Sequence, residues 1–581
     1  MTPLFALALQ RRVVLRRREP SATSRPPRVA RRPVAARFAC AWMMLLFACA
    51  GPDAHPPDPP VSTRYEDLVT LFEAWRDFHR PRLVDGVPDY SSSAMAEQHR
   101  ALAGMQARLR AIDPAGWPVA QQIDHHLVRA EMNGLDFDHR VLRPWERDPA
   151  FYLTVFPSQS DVPAREGPVA YGALELWSYT WPLGAEDAGR VMTALRTIPP
   201  LLAQAKTNLT GNARDLWMAG MRAVRGQSAD LAALEARIAG SSPELEPDVR
   251  QAKAATDSFL AWLEQQVPSK TGPSGVGEDN YDWYLRNVHL VPFTWQEQVA
   301  MMRRELARAH AALRLEEHRN RTLPALAPIA SAPEYERLLN QAVTEYMSFL
   351  DERDVVGIRD YMDSALRVRI GQFTPSDGPR EFFNEVNYRD GVVMRTHGYH
   401  WFDLARMARE PHASPIRRVP LLYNIFDGRA EGMATGMEEM MMHAGLFDAR
   451  PRARELIWIL LAQRAARALG DLLMHANLST LDEAAAFAVE WTPRGWLRPD
   501  GSTVWGEQHL YLQQPGYGTS YLVGKIQIEQ LLGERALQQG DAFTLRGFMD
   551  EFNAAGVIPV SLIRWELTGR NDEIERMVVA S

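Results

Sequence analysis

The sequence predicts an all-α protein. Three observations carry that prediction: helical spacing of apolar residues from Ser62 onward, repeated helix-start signals, and very few strand signals. Thr294-Trp295-Gln296-Glu297 has the capping-box spacing, and an amphipathic run follows it to about His318. Ser331-Ala332-Pro333-Glu334 repeats the signal before Tyr335–Glu352, with proline in the first turn, where its missing N–H is no loss. Leu456–Leu461 is apolar on every side, so Glu455 to Asn477 reads as a buried helix. Thr480-Leu481-Asp482-Glu483 opens another. Strand signals are limited to Arg418–Phe426, short and apolar, and Pro379–Tyr388, which mixes aromatic and polar residues.

A chain of 581 residues is long enough for two lobes around a large core. Of the two Gly/Pro/Ser-rich stretches, Pro268–Gly277 is a better boundary than Leu323–Pro333. The expected division is therefore an N-terminal helical lobe over 62–272 and a C-terminal one over 273–581. The net charge is −7, yet residues 1–48 carry ten Arg and a single acid, Glu19, so the remainder is more acidic than the total suggests. An acidic body disfavours nucleic acid and anionic membrane surfaces as partners.

Both cysteines, Cys40 and Cys49, lie near the N-terminus, so no disulfide framework is expected in the body. Phe38–Ala48 is uncharged and apolar, too short to span a bilayer, and suits the h-region of a signal peptide behind Arg31, Arg32 and Arg37. Leu46-Phe47-Ala48-Cys49 resembles a bacterial lipobox, which makes Cys49 the lipidated residue and 1–49 a signal region. Residues 50–61 are Pro-rich and read as an extended tether. The expected location is the periplasmic side of a bacterial cell envelope, with membrane contact only through that anchor. Ala50 is not the aspartate that retains lipoproteins at the inner membrane, so the outer membrane is preferred.

The chemistry concentrates in two segments. His397 and His400 are three apart, a spacing that points both imidazoles to one face of a helix, with Asp403 beyond them. Glu431 and Glu438, seven apart, share a face of the next helix. Two imidazoles from one helix and a carboxylate from another commonly hold zinc, so His397, His400 and Glu431 are the expected ligands. Glu438 is the expected general base, with the adjacent Glu439 solvated or paired. Asp471 and His475, one turn apart in an apolar helix, are expected either to orient a ligand or to form a structural hydrogen bond. Tyr511, Tyr517 and Tyr521 flank a Pro-Gly turn, where aromatic packing and donation to a developing oxyanion are both open. Met433, Met437, Met440, Met441 and Met442 read mostly as core filling. Phe156–Asp161 is a polar loop that could line a cleft. There is no GxSxG elbow, phosphate-cradling Gly loop or dinucleotide fingerprint, which disfavours serine hydrolases and nucleotide enzymes.

Glu431-Gly432-Met433-Ala434 with Glu438, Asp471 with His475, Tyr511 with Pro515-Gly516-Tyr517-Gly518, and Phe548-Met549-Asp550 together resemble the motifs of the bacterial domain-of-unknown-function 885 family over about residues 62–575. The resemblance implies an all-α, zincin-like, two-lobed body with a central cleft, related to metallopeptidases. It implies a zinc-dependent hydrolase of peptides or related amides, with Asp471 and His475 behind the ligands; Tyr511 or Tyr521 is the expected oxyanion donor, and Asp403, beyond the histidines in the chain, is expected behind them as well. Departures fall where the chemistry lies. The family's HE-x-x-PGH helix is replaced by His397-Gly398-Tyr399-His400, and the HExxH of the gluzincins is likewise missing its glutamate. Leu510 replaces an arginine and Met549 a histidine. An altered catalytic centre is therefore expected, and the alternative is a non-catalytic binder of peptides or cell-wall fragments.

Overall fold

Two of the three capping-box signals form as the sequence encodes them. Thr294 Oγ1 accepts from the Glu297 N–H while the Glu297 carboxylate accepts from Thr294 N at 2.7 Å, opening the helix Trp295–Arg319. Thr480 and Glu483 do the same for Leu481–Trp491. The helix Ala332–Glu352 begins without a side-chain cap from Ser331. Ala453–His475 is buried along nearly its whole length, as the all-round apolar run Leu456–Leu461 leads one to expect. The computed structural model describes residues 61–579 except 377 and 379. The signal region, the lipobox with Cys49 and nearly all of the tether lie outside the described residues.

Neither strand signal becomes a strand. Tyr423 and Asn424 adopt left-handed backbone, with φ of +57° and +49°, inside a short 3₁₀ turn over Leu422–Asn424. The Leu422 N–H donates to Glu131 Oε1 at 2.8 Å, which takes the place of a ladder partner. The Tyr423 ring lies against Gly134, where an added Cβ would sit 2.3 Å from a ring carbon. Phe382–Asn387 is a helix; the Arg380 N–H donates to Glu385 Oε1 at 2.6 Å and closes its first turn locally. Pro379 itself lies outside the described residues. The strands that do form are two residues long: Leu83–Val84 antiparallel to Val87–Pro88, and Val155–Phe156 parallel to Leu174–Glu175. The second pair brackets the loop 157–173, which reaches the site described below.

The described residues belong to one unit. One core cluster runs from Tyr90 through Trp217 and Phe259 to Tyr511 and Tyr517. The Pro268–Gly277 stretch is tied to the C-terminal half, where the Gly275 N–H donates to Asn477 Oδ1 at 3.0 Å. No described helix is long and apolar enough to cross a membrane.

One buried acid makes stability depend on pH. Asp138 faces an aromatic cavity of about 330 Å³ lined by Trp145, Tyr284 and Tyr423, and burial pushes its carboxyl up to about 8. The residue keeps some solvent contact, so the effect is well below the full shift. In the unfolded chain an aspartate titrates near about 4. The folded state thus binds this proton more tightly, and the associated stability is complete below about pH 4 and lost as pH rises through about 8. Asp138→Asn is expected to leave stability unchanged at pH 4 and to raise it by roughly 2 kcal/mol at pH 8. Denaturant melts at both pH values check this; a gap that does not widen with pH would remove Asp138 from the account.

Candidate metal centre

His397 ends the helix Gly391–His397, Gly398 interrupts it, and Tyr399–Arg409 follows. The two histidines therefore sit on consecutive helices rather than on one. Gly398 has no room for a side chain: a Cβ would lie 2.7 Å from Leu366 Cδ2 and 3.0 Å from the Arg395 carbonyl oxygen. The break still brings the imidazoles together, with ring centroids 5.1 Å apart and planes at 83°.

Among the described residues, Asp161, His397 and His400 offer ligand atoms that all lie within 4.8 Å of one another. The carboxylate that completes the trio comes from the loop 157–173, not from Glu431. Glu431 stands beside the trio. Its Oε2 is 3.2 Å from His400 Nε2, and its Oε1 accepts a short hydrogen bond from the Tyr517 hydroxyl. His400 Nε2 and Glu431 Oε2 are buried and, although close, not aligned as a hydrogen bond. Burial opposes charge on His400, but Glu431, Asp161 and Asp403 outweigh it and hold the imidazole up at about 9. Burial likewise opposes ionisation of Glu431, yet His400, His397 and Tyr517 bring it down to about 2. His397 differs, because burial and the Arg464 guanidinium both push its imidazole below the ordinary range.

Glu438 is not a free base. It is fully buried and clamped by Arg464, whose Nη1 and Nη2 each donate to one carboxylate oxygen at 2.7 Å. His397 Nδ1 lies 3.1 Å from Glu438 Oε1, and Arg464 Nη2 approaches the same nitrogen at 3.2 Å. Burial raises the Glu438 pKa, but Arg464 and His397 outweigh it and keep the group ionised. A carboxylate in this setting orients an imidazole. Glu439 is paired as expected, with Arg308 at 2.6 and 2.9 Å and Lys525 at 2.8 Å. Met433, Met437, Met441 and Met442 are core.

Asp403 is held by Arg429 at 2.7 and 3.0 Å and by Arg406 at 2.7 Å, and it sits near enough to His400 to favour its charge. Asp471 and His475 work on the turn that carries the tyrosines. Asp471 accepts from the Gly516 and Thr519 N–H groups, and His475 Nε2 lies 2.8 Å from the Tyr511 carbonyl oxygen. Gly516 has φ +88°, a conformation that admits glycine readily. The Tyr517 ring packs between Tyr511 and Tyr521, at 6.0 and 5.8 Å between centroids, and it is Tyr517 that bonds Glu431. The Tyr511 hydroxyl is buried beside Arg467; burial pushes it up to about 12, with the guanidinium opposing the rise.

Sequence reasoning missed four further groups. Arg464 and Arg467 come from the buried helix Ala453–His475; Arg467 packs over the Tyr521 ring at 4.4 Å. Asp161 and Glu166 come from the loop 157–173. Burial, then Asp161 and Glu431, push the Glu166 carboxyl up to about 7. Only the polarity of Phe156–Asp161 hinted at that loop. The loop is docked by the Gly167 N–H on Gln514 Oε1 at 2.9 Å and by Asn424 Nδ2 on the Arg165 carbonyl at 3.1 Å.

The family profile of bacterial proteins of unknown function DUF885 matches residues 79–353 and 400–567. The chain belongs to the DUF885 family. The unmatched interval 354–399 contains Gly391–His397 with its histidine, whereas His400 opens the second matched stretch of this DUF885 member. Two solved structures share the fold. A proposed lipoprotein of unknown function from Shewanella oneidensis aligns with TM-score 0.64 at 14% identity, covering 87% of this chain and 99% of that one. A proposed lipoprotein from Colwellia psychrerythraea aligns with TM-score 0.58 at 14% identity, covering 87% and 97%. No curated protein matches.

Proposed function

We propose that this protein is a metal-dependent hydrolase of peptides or related amides, lipid-anchored at Cys49 on the periplasmic side of the bacterial envelope. The convergence of Asp161, His397 and His400 within 4.8 Å carries the reading. Two imidazoles and a carboxylate form a donor set suited to zinc. His400 Nε2 and Glu431 Oε2 are a 3.2 Å charge pair without hydrogen-bond alignment, so a bound ion would compete with the proton that Glu431 holds on His400. Asp161, His397 and His400 would hold the ion, with Glu431 against His400. Zinc would act there as a Lewis acid on a substrate carbonyl.

The protein's own groups supply the rest. His397 Nδ1 is held between Glu438 Oε1 at 3.1 Å and Arg464 Nη2 at 3.2 Å, which leaves Nε2 to face a metal. Glu166 stands in for the glutamate missing beside His397. Its carboxyl lies in the proton-exchanging range near neutral pH and belongs to the same loop as Asp161. The buried Tyr511 hydroxyl, beside Arg467, can donate to an oxyanion.

Elemental analysis of purified protein should find about one zinc per chain, lost in His397→Ala and His400→Ala. Chelation should abolish hydrolysis across a peptide and amide panel. Glu166→Gln should retain the metal and lower kcat by about 10²–10⁴. Hydrolysis that survives both histidine replacements would sink the reading. Protein with neither metal nor hydrolysis would favour the non-catalytic binder of peptides or cell-wall fragments. The anchor has its own test, supported by the short apolar run before Cys49 and by the two similar lipoproteins. Cys49→Ala should lose lipid labelling and leave the membrane fraction; unchanged membrane association would exclude the anchor.

A further inference from the structure

His397 and Asp161 line a cavity of about 360 Å³ whose walls also include Arg395 and Arg369. Arg395 is only 7% exposed. Its Nη2 donates to the neutral Asn387 Oδ1 at 3.2 Å, and its Nε has no partner. The Tyr335 hydroxyl nearby is uncharged and donates to the Ile370 carbonyl at 2.7 Å. Among the described residues no carboxylate pairs with Arg395. The other buried arginines around the centre are all paired: Arg429 with Asp403, Arg464 with Glu438, Arg467 with Glu507 and Arg417 with Asp124. A buried guanidinium without a counter-charge is destabilising. Its retention beside a cavity is explained if the counter-charge arrives with a ligand. Arg369, at the exposed side, also lacks a paired carboxylate among the described residues; it stacks on the Trp401 ring at 3.7 Å and donates to Gln159.

We propose that this cavity binds a carboxylate of the substrate, held by Arg395 with Arg369 at its mouth, so that the amides cleaved are those whose amine half bears a free carboxylate. The substrate class is then a peptide cut at its C-terminal residue or an N-acyl amino acid. In the reaction, water oxygen bonds to the acyl carbon and the C–N bond breaks. The nitrogen leaves with a proton from that water, as the amino group of the carboxylate-bearing product. The cleavage rests on the hydrolase reading above; the carboxylate site does not.

The test measures binding of 3-phenylpropionate and of 3-phenylpropanol to the full purified chain by calorimetry, with metal content determined in parallel. The acid should bind and the alcohol should bind at least about 10-fold more weakly. Arg395→Gln should weaken the acid by about 10–100-fold at unchanged metal content, without loss of thermal stability. If that variant does not fold, Arg369→Gln at the exposed mouth should still weaken the acid several-fold. Equal binding of acid and alcohol, or an affinity for the acid that neither variant changes, would overturn the proposal; the latter result would put the acid on the metal instead. Arginine-dependent binding in a protein without metal or hydrolysis would uphold this site and refute only the hydrolase reading.

Discussion

Glu438→Gln is expected to cost about 3–5 kcal/mol of stability and about 10–100-fold in metal affinity. Both losses arise from one interaction. Glu438 and Arg464 are fully buried and joined by two parallel hydrogen bonds, so neutralising the carboxylate leaves a guanidinium with no counter-charge. The same carboxylate faces His397 Nδ1, so the imidazole loses its orienting partner. Pairing the change with Arg464→Met removes the stranded charge. The double variant should recover most of the stability and none of the metal affinity. Denaturant melts and zinc titrations of the three proteins separate the two roles. A single variant within about 1 kcal/mol of wild type would mean that water, rather than protein, already balances Arg464. Wild-type metal affinity in it would mean that Glu438 does not orient His397.

Gly524→Ala is expected to be the most damaging small substitution in the C-terminal half. The helices Asp427–Ala444 and Tyr517–Gln539 pack face to face through glycine. A Cβ on Gly524 would lie 1.9 Å from the Gly428 carbonyl oxygen, and one on Gly432 would lie 2.5 Å from the Gly524 carbonyl carbon. These neighbours are backbone atoms and cannot rotate away, so the helices must separate. Overpacking of this kind costs about 1–3 kcal/mol and sometimes more; here the upper end is expected. The same separation parts Glu431 on one helix from Tyr517 on the other, so metal affinity should fall as well. Gly533→Ala is the control: it lies on the same helix with nothing within 4 Å and should stabilise by about 0.5–1 kcal/mol. Equal effects at the two positions would show that helix propensity, not close approach, governs this interface.

Much of the helical framework was legible because its signals are local. A capping box closes within four residues, so Thr294 and Thr480 announce their helices without help from the fold. The apolar run of Leu456–Leu461 has no polar face to expose and must be buried wherever the chain goes. The false strands at 379–388 and 418–426 show the limit. Short apolar segments suit several conformations, and Gly134, nearly three hundred residues from Tyr423 in sequence, supplies the space that permits the left-handed turn.

The site divides in the same way. Three-residue spacing alone brings His397 and His400 together, even across the break at Gly398, because one turn of backbone limits how far they can diverge. The sequence likewise places Glu431 and Glu438 on one face of one helix. Only the tertiary structure decides what those carboxylates do. Arg464 arrives from another helix and claims Glu438, so a candidate base becomes an orienting group. Tyr517 and His400 claim Glu431. Asp161 arrives from a loop more than two hundred residues upstream and brings its carboxylate within 4.8 Å of both imidazoles. Ionic pairing and desolvation depend on distances between elements remote in the chain, and no local spacing encodes those distances.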